Sequence, residues 1–95
     1  MMIGILTHHW AKPNLMEEAR KILDLNGSAQ KLAKGFVARQ TLLSLTDQTK
    51  ITSIVTWKSE ETYDMWKSSR ERAQIMTGSE RYWNKPPESE RFSVV

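Results

Sequence analysis

The residues best suited to chemistry lie on one face of the second predicted helix. Tyr63, Trp66 and Arg70 recur there at helical spacing, and the apolar stripe is interrupted at Arg70. An aromatic wall with a single cation would suit a cleft that binds a small aromatic molecule and orients an anionic or enolate-like group on it. Tyr82 and Trp83, beyond the helix, would cover the mouth of the cleft. Alternatively, Tyr63 and Trp66 simply pack on the sheet while Arg70 reaches solvent.

Two adjacent histidines are the second candidate for chemistry. Side chains next to each other on a strand point to opposite faces, so His8 and His9 cannot serve one site, and a two-histidine metal centre is disfavoured. One of them, with Thr7 or Trp10, would face the cleft, where a neutral imidazole can act as a general base at pH 7. His9 is our candidate, although the sequence leaves open which histidine faces the cleft. The alternative is a structural or solvent-facing histidine.

Several kinds of site are excluded by what the sequence lacks. The absence of cysteine excludes a disulfide scaffold, a thiolate zinc site, an iron–sulfur cluster and a cysteine nucleophile. There is no Gly-rich phosphate loop, no G-x-S-x-G motif and no carboxylate pair at a recognisable spacing. We therefore expect neither a metal nor a cofactor.

The composition predicts one small domain over residues 1–95 that gains from pairing. Leu, Ile, Val and Phe together supply only 20 of the 95 residues, which is a lean stock of core-forming side chains. A domain of this size buries only about 60–65% of its unfolded surface, so a second copy that lends apolar area would stabilise it. We therefore expect a homo-oligomer.

Charge and the N-terminal sequence indicate which partners and compartment to expect. The 14 Lys and Arg residues are scattered among 11 Asp and Glu residues without a basic block, which argues against nucleic-acid binding. The apolar residues 1–6 have no preceding basic residue and give way to Thr7 too early for a signal peptide. No run approaches the ~18–20 apolar residues that span a bilayer. We expect a cytoplasmic protein with no membrane partner.

The first half of the chain predicts a strand, a helix and a second strand. Alternating apolar side chains favour a strand over residues 2–10. An amphipathic helix follows, with Asn14 as its N-cap and Asn26 and Gly27 as its C-terminal stop. The second strand runs from Phe36 to Leu45.

The second half repeats this pattern after a hairpin turn. A β-branched strand over residues 50–57 pairs with the second strand, and Ser59 caps a helix that extends to about Met76. Pro86 and Pro87 exclude regular structure before a last strand over residues 90–95. The order strand, helix, strand, strand, helix, strand predicts an α+β fold of the ferredoxin-like βαββαβ type.

The stretch from Ile54 to Ser69, IVTWKSEETYDMWKSS, resembles the antibiotic biosynthesis monooxygenase family. The likeness consists of a strand that ends in Trp57, a Ser-Glu-Glu helix start and Trp66 two turns later. This resemblance implies a ferredoxin-like subunit whose sheet pairs with that of a second copy in a dimeric α+β barrel, with a pocket between helices and sheet. Some members are cofactor-independent oxygenases of aromatic polyketides, in which the deprotonated substrate itself reduces dioxygen.

Carried over to this sequence, the resemblance implies a pocket lined by Trp66, with Arg70 or Tyr63 stabilising negative charge on the substrate oxygen. The predicted catalytic residues are therefore Trp66, Arg70, Tyr63 and His9. The expected ligand is a small hydrophobic or aromatic molecule, and the predicted binding residues are Thr7, Trp57, Met76, Tyr82 and Trp83.

Two other functions stay open. The first is a non-catalytic binding or structural barrel whose pocket is closed by Trp and Met side chains. The second is haem binding or degradation, because the haem-degrading branch of the family has a counterpart of Trp66. That branch places an iron-ligating His where this sequence has Met76, and an Asn on the first strand where it offers Thr7, His8 and His9. Haem is accordingly the third alternative.

Overall fold

The computed structural model describes residues 1–95 and contains one four-stranded antiparallel sheet with its helices on one face. The strands occur in the order β2-β3-β1-β4 across the sheet, and the predicted ferredoxin-like βαββαβ topology is confirmed. The elements are β1 (Ile3–Ala11), α1 (Met16–Gln30), β2 (Phe36–Leu43), β3 (Lys50–Trp57), α2 (Glu60–Lys67), α3 (Arg70–Met76) and β4 (Trp83–Ser93), with short 3-10 turns at Pro13–Leu15 and Ser79–Tyr82.

Strand alternation divides the sheet into an inner face, covered by the helices, and an outer face without them. Ile3 and Ile5 of β1 and Val55 and Trp57 of β3 point inward, where they form the core with Trp66 of α2. Trp57 is fully buried and stacks on Trp66, with ring centroids 6.4 Å apart. This aromatic pair fixes the second helical segment against the sheet.

The outer face carries apolar side chains that no helix of the chain covers. Leu42, Ile54 and Phe92 are 37–45% exposed there, and Leu6 is aligned with Ile54 on the neighbouring strand. No helix combines the length and the apolar character needed to cross a membrane.

The second helix of the sequence prediction is two helices, α2 and α3. The Ser59 side chain caps α2 as predicted, accepting a hydrogen bond from the Thr62 amide at 3.1 Å. Ser69 caps α3 in the same way, accepting from the Arg72 amide at 3.2 Å. The Ser68 hydroxyl donates to the Asp64 carbonyl at 2.9 Å. Serine side chains compete for helical backbone groups in this way, and the predicted continuous helix to Met76 is therefore wrong at residues 68–69.

The first helix extends past its predicted end. It begins at Met16 without a side-chain cap, so Asn14 is not the N-cap, and it passes through Gly27 to Gln30. Gly27 is buried inside the helix, and a Cβ at this position would lie only 2.7 Å from Nε of Arg39. This glycine permits the close approach of a side chain rather than a left-handed helix end.

The last strand is longer than predicted and includes both prolines. Pairing along β1 moves from His8 with Glu88 to Trp10 with Lys85, which leaves the two prolines in a bulge opposite His9. β4 is an edge strand, and a proline in such a bulge removes no ladder hydrogen bond that the sheet needs. The expectation that Pro86 and Pro87 exclude a strand is therefore wrong.

Candidate functional site

A cavity of about 290 Å³ lies between the inner face of the sheet and the three helices. This volume is at the small end of the range of about 300–1,000 Å³ that small-molecule sites occupy. Tyr63 and Trp66 of α2 supply aromatic surface, and Ile5, Leu23 and Val55 supply aliphatic surface. Apart from Met76 and Pro87, the remaining wall is polar, so the cavity offers both apolar and polar surface.

Five of the predicted site residues meet at this cavity. Inward-facing alternation along β1 brings two of them to the sheet side, and α2 and α3 supply the other three. They are Thr7, His9, Tyr63, Trp66 and Met76.

The other four predicted residues lie elsewhere. Trp57 is fully buried in the core beneath Trp66 and does not reach the cavity. Tyr82 lies in the turn before β4, where its hydroxyl accepts a hydrogen bond from Arg81 at 2.9 Å. Trp83 lies outside the cavity wall, with its ring 4.8 Å from the ring of His9. Neither aromatic residue covers the mouth.

Arg70 is exposed at the start of α3, and Arg72 lines the cavity instead. The cause is the break at Ser68 and Ser69, which starts a new helix and changes which side chains face the sheet. In a continuous helix, Arg70 would lie on the same face as Tyr63 and Trp66. The prediction that Arg70 faces the cleft depends on that continuity.

The sequence reading also missed Arg39, which lines the cavity from β2. A signal was available, since Arg39 shares its strand parity with Leu43 and is aligned with the buried Val55 of β3. A charged residue at an inward-facing strand position is unusual and is a pointer to function. Its Nη1 donates to Oε1 of Gln30 on α1 at 2.7 Å.

The charged groups at the cavity are all basic. Arg39, Arg72 and Lys67 line it, and no Asp or Glu does. Burial lowers the pKa of Arg39, and Asp24 offsets this only in part. An anion that enters the cavity therefore meets a wall whose charged side chains are all positive.

His9 is held neutral by these surroundings. Burial lowers its pKa to about 4, with further contributions from the charges of Arg39, Arg72 and His8. Nδ1 of His9 is buried and has no hydrogen-bond partner within the chain. The neutral imidazole, which lines the cavity, therefore has one ring nitrogen that the chain does not engage and that donates or accepts according to its tautomer.

Two more buried polar atoms at the cavity have no partner within the chain. They are Oδ1 of Asn26, which can only accept, and Nε1 of Trp66, which can only donate. A fourth such atom, Nε1 of Trp57, lies away from the cavity. Buried polar atoms are usually paired, and three of these four exceptions belong to residues that line the cavity.

Tyr63 keeps its phenolic proton and holds the aromatic wall in place. Burial raises its pKa, and the nearby Arg91 charge opposes this only in part. The Arg91 guanidinium lies 4.8 Å from the centre of the Tyr63 ring and pairs with Asp64 at 2.8 Å and Glu60 at 3.3 Å. The Tyr63 hydroxyl is therefore a neutral hydrogen-bond donor near pH 7.

No group of three or more acidic or histidine side chains is placed to hold a metal ion.

Comparison with known proteins relates the chain to others through structure rather than sequence. No protein-family model matches it, and no curated protein does. Rv0793 from Mycobacterium tuberculosis has a TM-score of 0.90 at 10% identity, covering 100% of this chain and 96% of that one. A Nitrosomonas europaea protein named as an antibiotic biosynthesis monooxygenase has a TM-score of 0.92 at 13% identity, covering 99% and 90%.

A third similar structure is SnoaB from Streptomyces nogalater, which its name describes as a cofactor-independent oxygenase. It has a TM-score of 0.87 at 11% identity, covering 98% of this chain and 92% of its own. At these identities the comparison establishes a shared fold, so the resemblance seen at residues 54–69 is accompanied by the architecture of antibiotic biosynthesis monooxygenases.

The state of His9 predicts an acid-sensitive contribution to stability. The unfolded chain protonates this histidine near pH 6.5 and the folded protein only near pH 4. Between these values the unfolded state binds the extra proton, so the free energy of unfolding falls as the pH is lowered, by about 2–3 kcal/mol from this group. Urea unfolding of the wild type and of His9→Asn at neutral pH and at about pH 4.5 measures it. The variant should lose less stability on acidification than the wild type.

The difference between the two proteins isolates this group, because every other titrating side chain is present in both. An identical pH dependence in the wild type and in His9→Asn would contradict the assignment.

Proposed function

We propose that this chain is a cofactor-independent monooxygenase that oxidises a small aromatic or polyketide-like molecule in the cavity between helices and sheet. The observation that carries the proposal is one cavity in which a neutral histidine, two arginines and an aromatic wall converge. The fold shared with SnoaB, whose name gives the same activity, supports it. We also place the protein in the cytoplasm, on its cysteine-free composition.

The reaction suited to these groups begins with loss of a proton from the substrate. A CH₂ group that is conjugated with a ketone forms an enolate when a base removes one of its protons. His9 is neutral at pH 7 and can accept that proton, and the positive charges of Arg39 and Arg72 stabilise the enolate oxygen. The new anion also offsets the charge that depresses the pKa of His9, so the imidazolium is stabilised as the enolate forms.

The substrate then supplies the electrons for dioxygen. The enolate carbon is oxidised and bonds to one oxygen atom as dioxygen is reduced, and a proton completes a hydroperoxide. Cleavage of the O–O bond with loss of the remaining hydrogen on that carbon gives a carbonyl and one molecule of water, so CH₂ and O₂ become C=O and H₂O. Trp66 and Tyr63, which line the cavity, pack against the aromatic rings of the substrate.

Oxygen uptake with an anthrone tests this proposal. The purified protein, without added flavin or metal, should consume dioxygen and convert the anthrone to the quinone, with one atom of labelled dioxygen in the new carbonyl. His9→Gln, which removes the base and keeps the approximate size, should lower kcat at least about tenfold, or ~1.4 kcal/mol. Arg72→Met should lower kcat/KM by a similar factor because it removes charge from the cavity.

The matched control is Arg70→Met, since Arg70 is an exposed arginine on the same helix. Its turnover should equal that of the wild type. Ligand binding without oxygen uptake would contradict the oxygenase and favour the non-catalytic alternative.

We further propose that two copies pair through the outer face of the sheet to form a homodimer. All three helices lie on the inner face, and the outer face exposes the apolar side chains of Leu42, Ile54 and Phe92. The protomer is a slab only 19 Å across its shortest dimension, so a second copy would bury this face in the middle of a four-layered assembly.

Sedimentation velocity at micromolar concentration tests the dimer. The wild type should sediment as a dimer, and Ile54→Glu should sediment as a monomer because it puts a charge at the centre of the proposed interface. Leu25→Glu is the matched control, since Leu25 is 59% exposed on α1, away from the outer face. A monomeric wild type, or dissociation of both variants, would contradict this interface.

A further inference from the structure

Arg39 is a half-buried cation that forms no ion pair. All three ion pairs of the chain involve other residues: Arg20 with Asp24, and Arg91 with Glu60 and Asp64. The polar contact of the Arg39 guanidinium is with the neutral amide oxygen of Gln30, and the charge of Asp24 offsets its partial burial only in part. A guanidinium that is partly removed from water and hydrogen-bonded only to a neutral group leaves some of its desolvation cost uncompensated.

The position of Arg39 is fixed by α1. Gln30 is 5% exposed and accepts from Nη1 at 2.7 Å. The guanidinium end of the Arg39 side chain lies so close to Gly27 that a Cβ added to this glycine would be 2.7 Å from Nε and 3.0 Å from Cδ of Arg39. A side chain that is held this firmly at a cavity wall offers a preorganised binding group and loses little entropy when a ligand binds.

The other charged side chains at the cavity are also cations, so they attract an anion as Arg39 does. Arg72 and Lys67 share the cavity, His9 is neutral, and no acidic side chain lines the wall. Gln30 is the last residue of α1, and a helix C-terminus carries about half a negative charge at most. That partial charge offsets one guanidinium in part and leaves the cavity positive.

The shape and polarity of the wall favour a carboxylate over a phosphate. The guanidinium fork matches a planar carboxylate, and the same cavity has aliphatic and aromatic surface from Leu23, Val55 and Tyr63. A phosphate dianion is typically held by backbone amides at a helix N-terminus, whereas α1 presents its C-terminal turn here.

We propose that Arg39 anchors a carboxylate group of the ligand and thereby makes the cavity selective for aromatic carboxylates over neutral aromatic molecules. This inference rests on the proposed function, because it concerns the same cavity, and it adds the charged substituent that the substrate carries. Gln30 and Gly27 are positioning residues in this arrangement, since they act through Arg39.

Binding of naphthoate and of its neutral isostere naphthamide tests the inference. Isothermal titration at neutral pH should show that the wild type binds naphthoate at least about tenfold more tightly than naphthamide. Arg39→Met should abolish this preference while naphthamide affinity stays within about threefold of the wild type. Arg39→Lys should keep part of the preference, since it retains the charge and loses the fork.

Two further variants separate anchoring from a general effect of positive charge. Gly27→Ala should reduce the preference for naphthoate with Arg39 still present, because the new methyl group displaces the guanidinium. Lys21→Met, which removes an exposed cation without an ion-pair partner from the same helix, should leave the preference unchanged. Circular dichroism and the Tm of each variant establish that the fold is retained.

The inference is overturned if the wild type binds both probes equally, if it binds neither, or if the preference survives in Arg39→Met. Its failure is distinct from failure of the oxygenase proposal. A protein that prefers naphthoate but does not oxidise anthrones keeps the anchor and loses the oxygenase. One that oxidises neutral anthrones without any preference for carboxylates keeps the oxygenase and loses the anchor.

Discussion

Positive charge without a carboxylate to balance it is the constraint that determines the chemistry of this cavity. Arg39 and Arg72 reach it from opposite layers of the fold, one from β2 and one from α3. Their charges, added to the effect of burial, keep His9 neutral. The same field favours any anion that enters or forms there, whether an enolate or a carboxylate. Proton acceptance and anion binding therefore depend on a single electrostatic arrangement.

Three local features of the chain build that arrangement. Gly27 lets the Arg39 side chain lie against α1, and the break at residues 68–69 turns Arg72 toward the sheet. The bulge in β4 brings Pro87 to the cavity opposite His9. All three lie beside the cavity, and bulges and helix breaks of this kind are often found at functional sites.

The sequence predicted what depends on local pattern and missed what depends on contacts between distant segments. The β-branched residues predicted β3 over residues 50–57, and the serine before two glutamates predicted the Ser59 cap. The sequence predicts a helix end at Gly27, because it does not show that the side chain of Arg39, from another element, packs against this glycine. Similarly, the helix phase that predicted Arg70 failed because the serine caps restart the helix. The aromatic half of the site could be foreseen from spacing, whereas the cationic half required the tertiary structure.

The titration of the His9 ring, followed by NMR in the free protein and with saturating naphthoate, tests the electrostatic account most directly. Free His9 should titrate near pH 4. The bound anion should move this titration to higher pH, because it offsets the charge of Arg39 and Arg72, whereas naphthamide should have no such effect. A free His9 that titrates near its ordinary value of 6.5, or one whose titration naphthoate leaves unchanged, would contradict it.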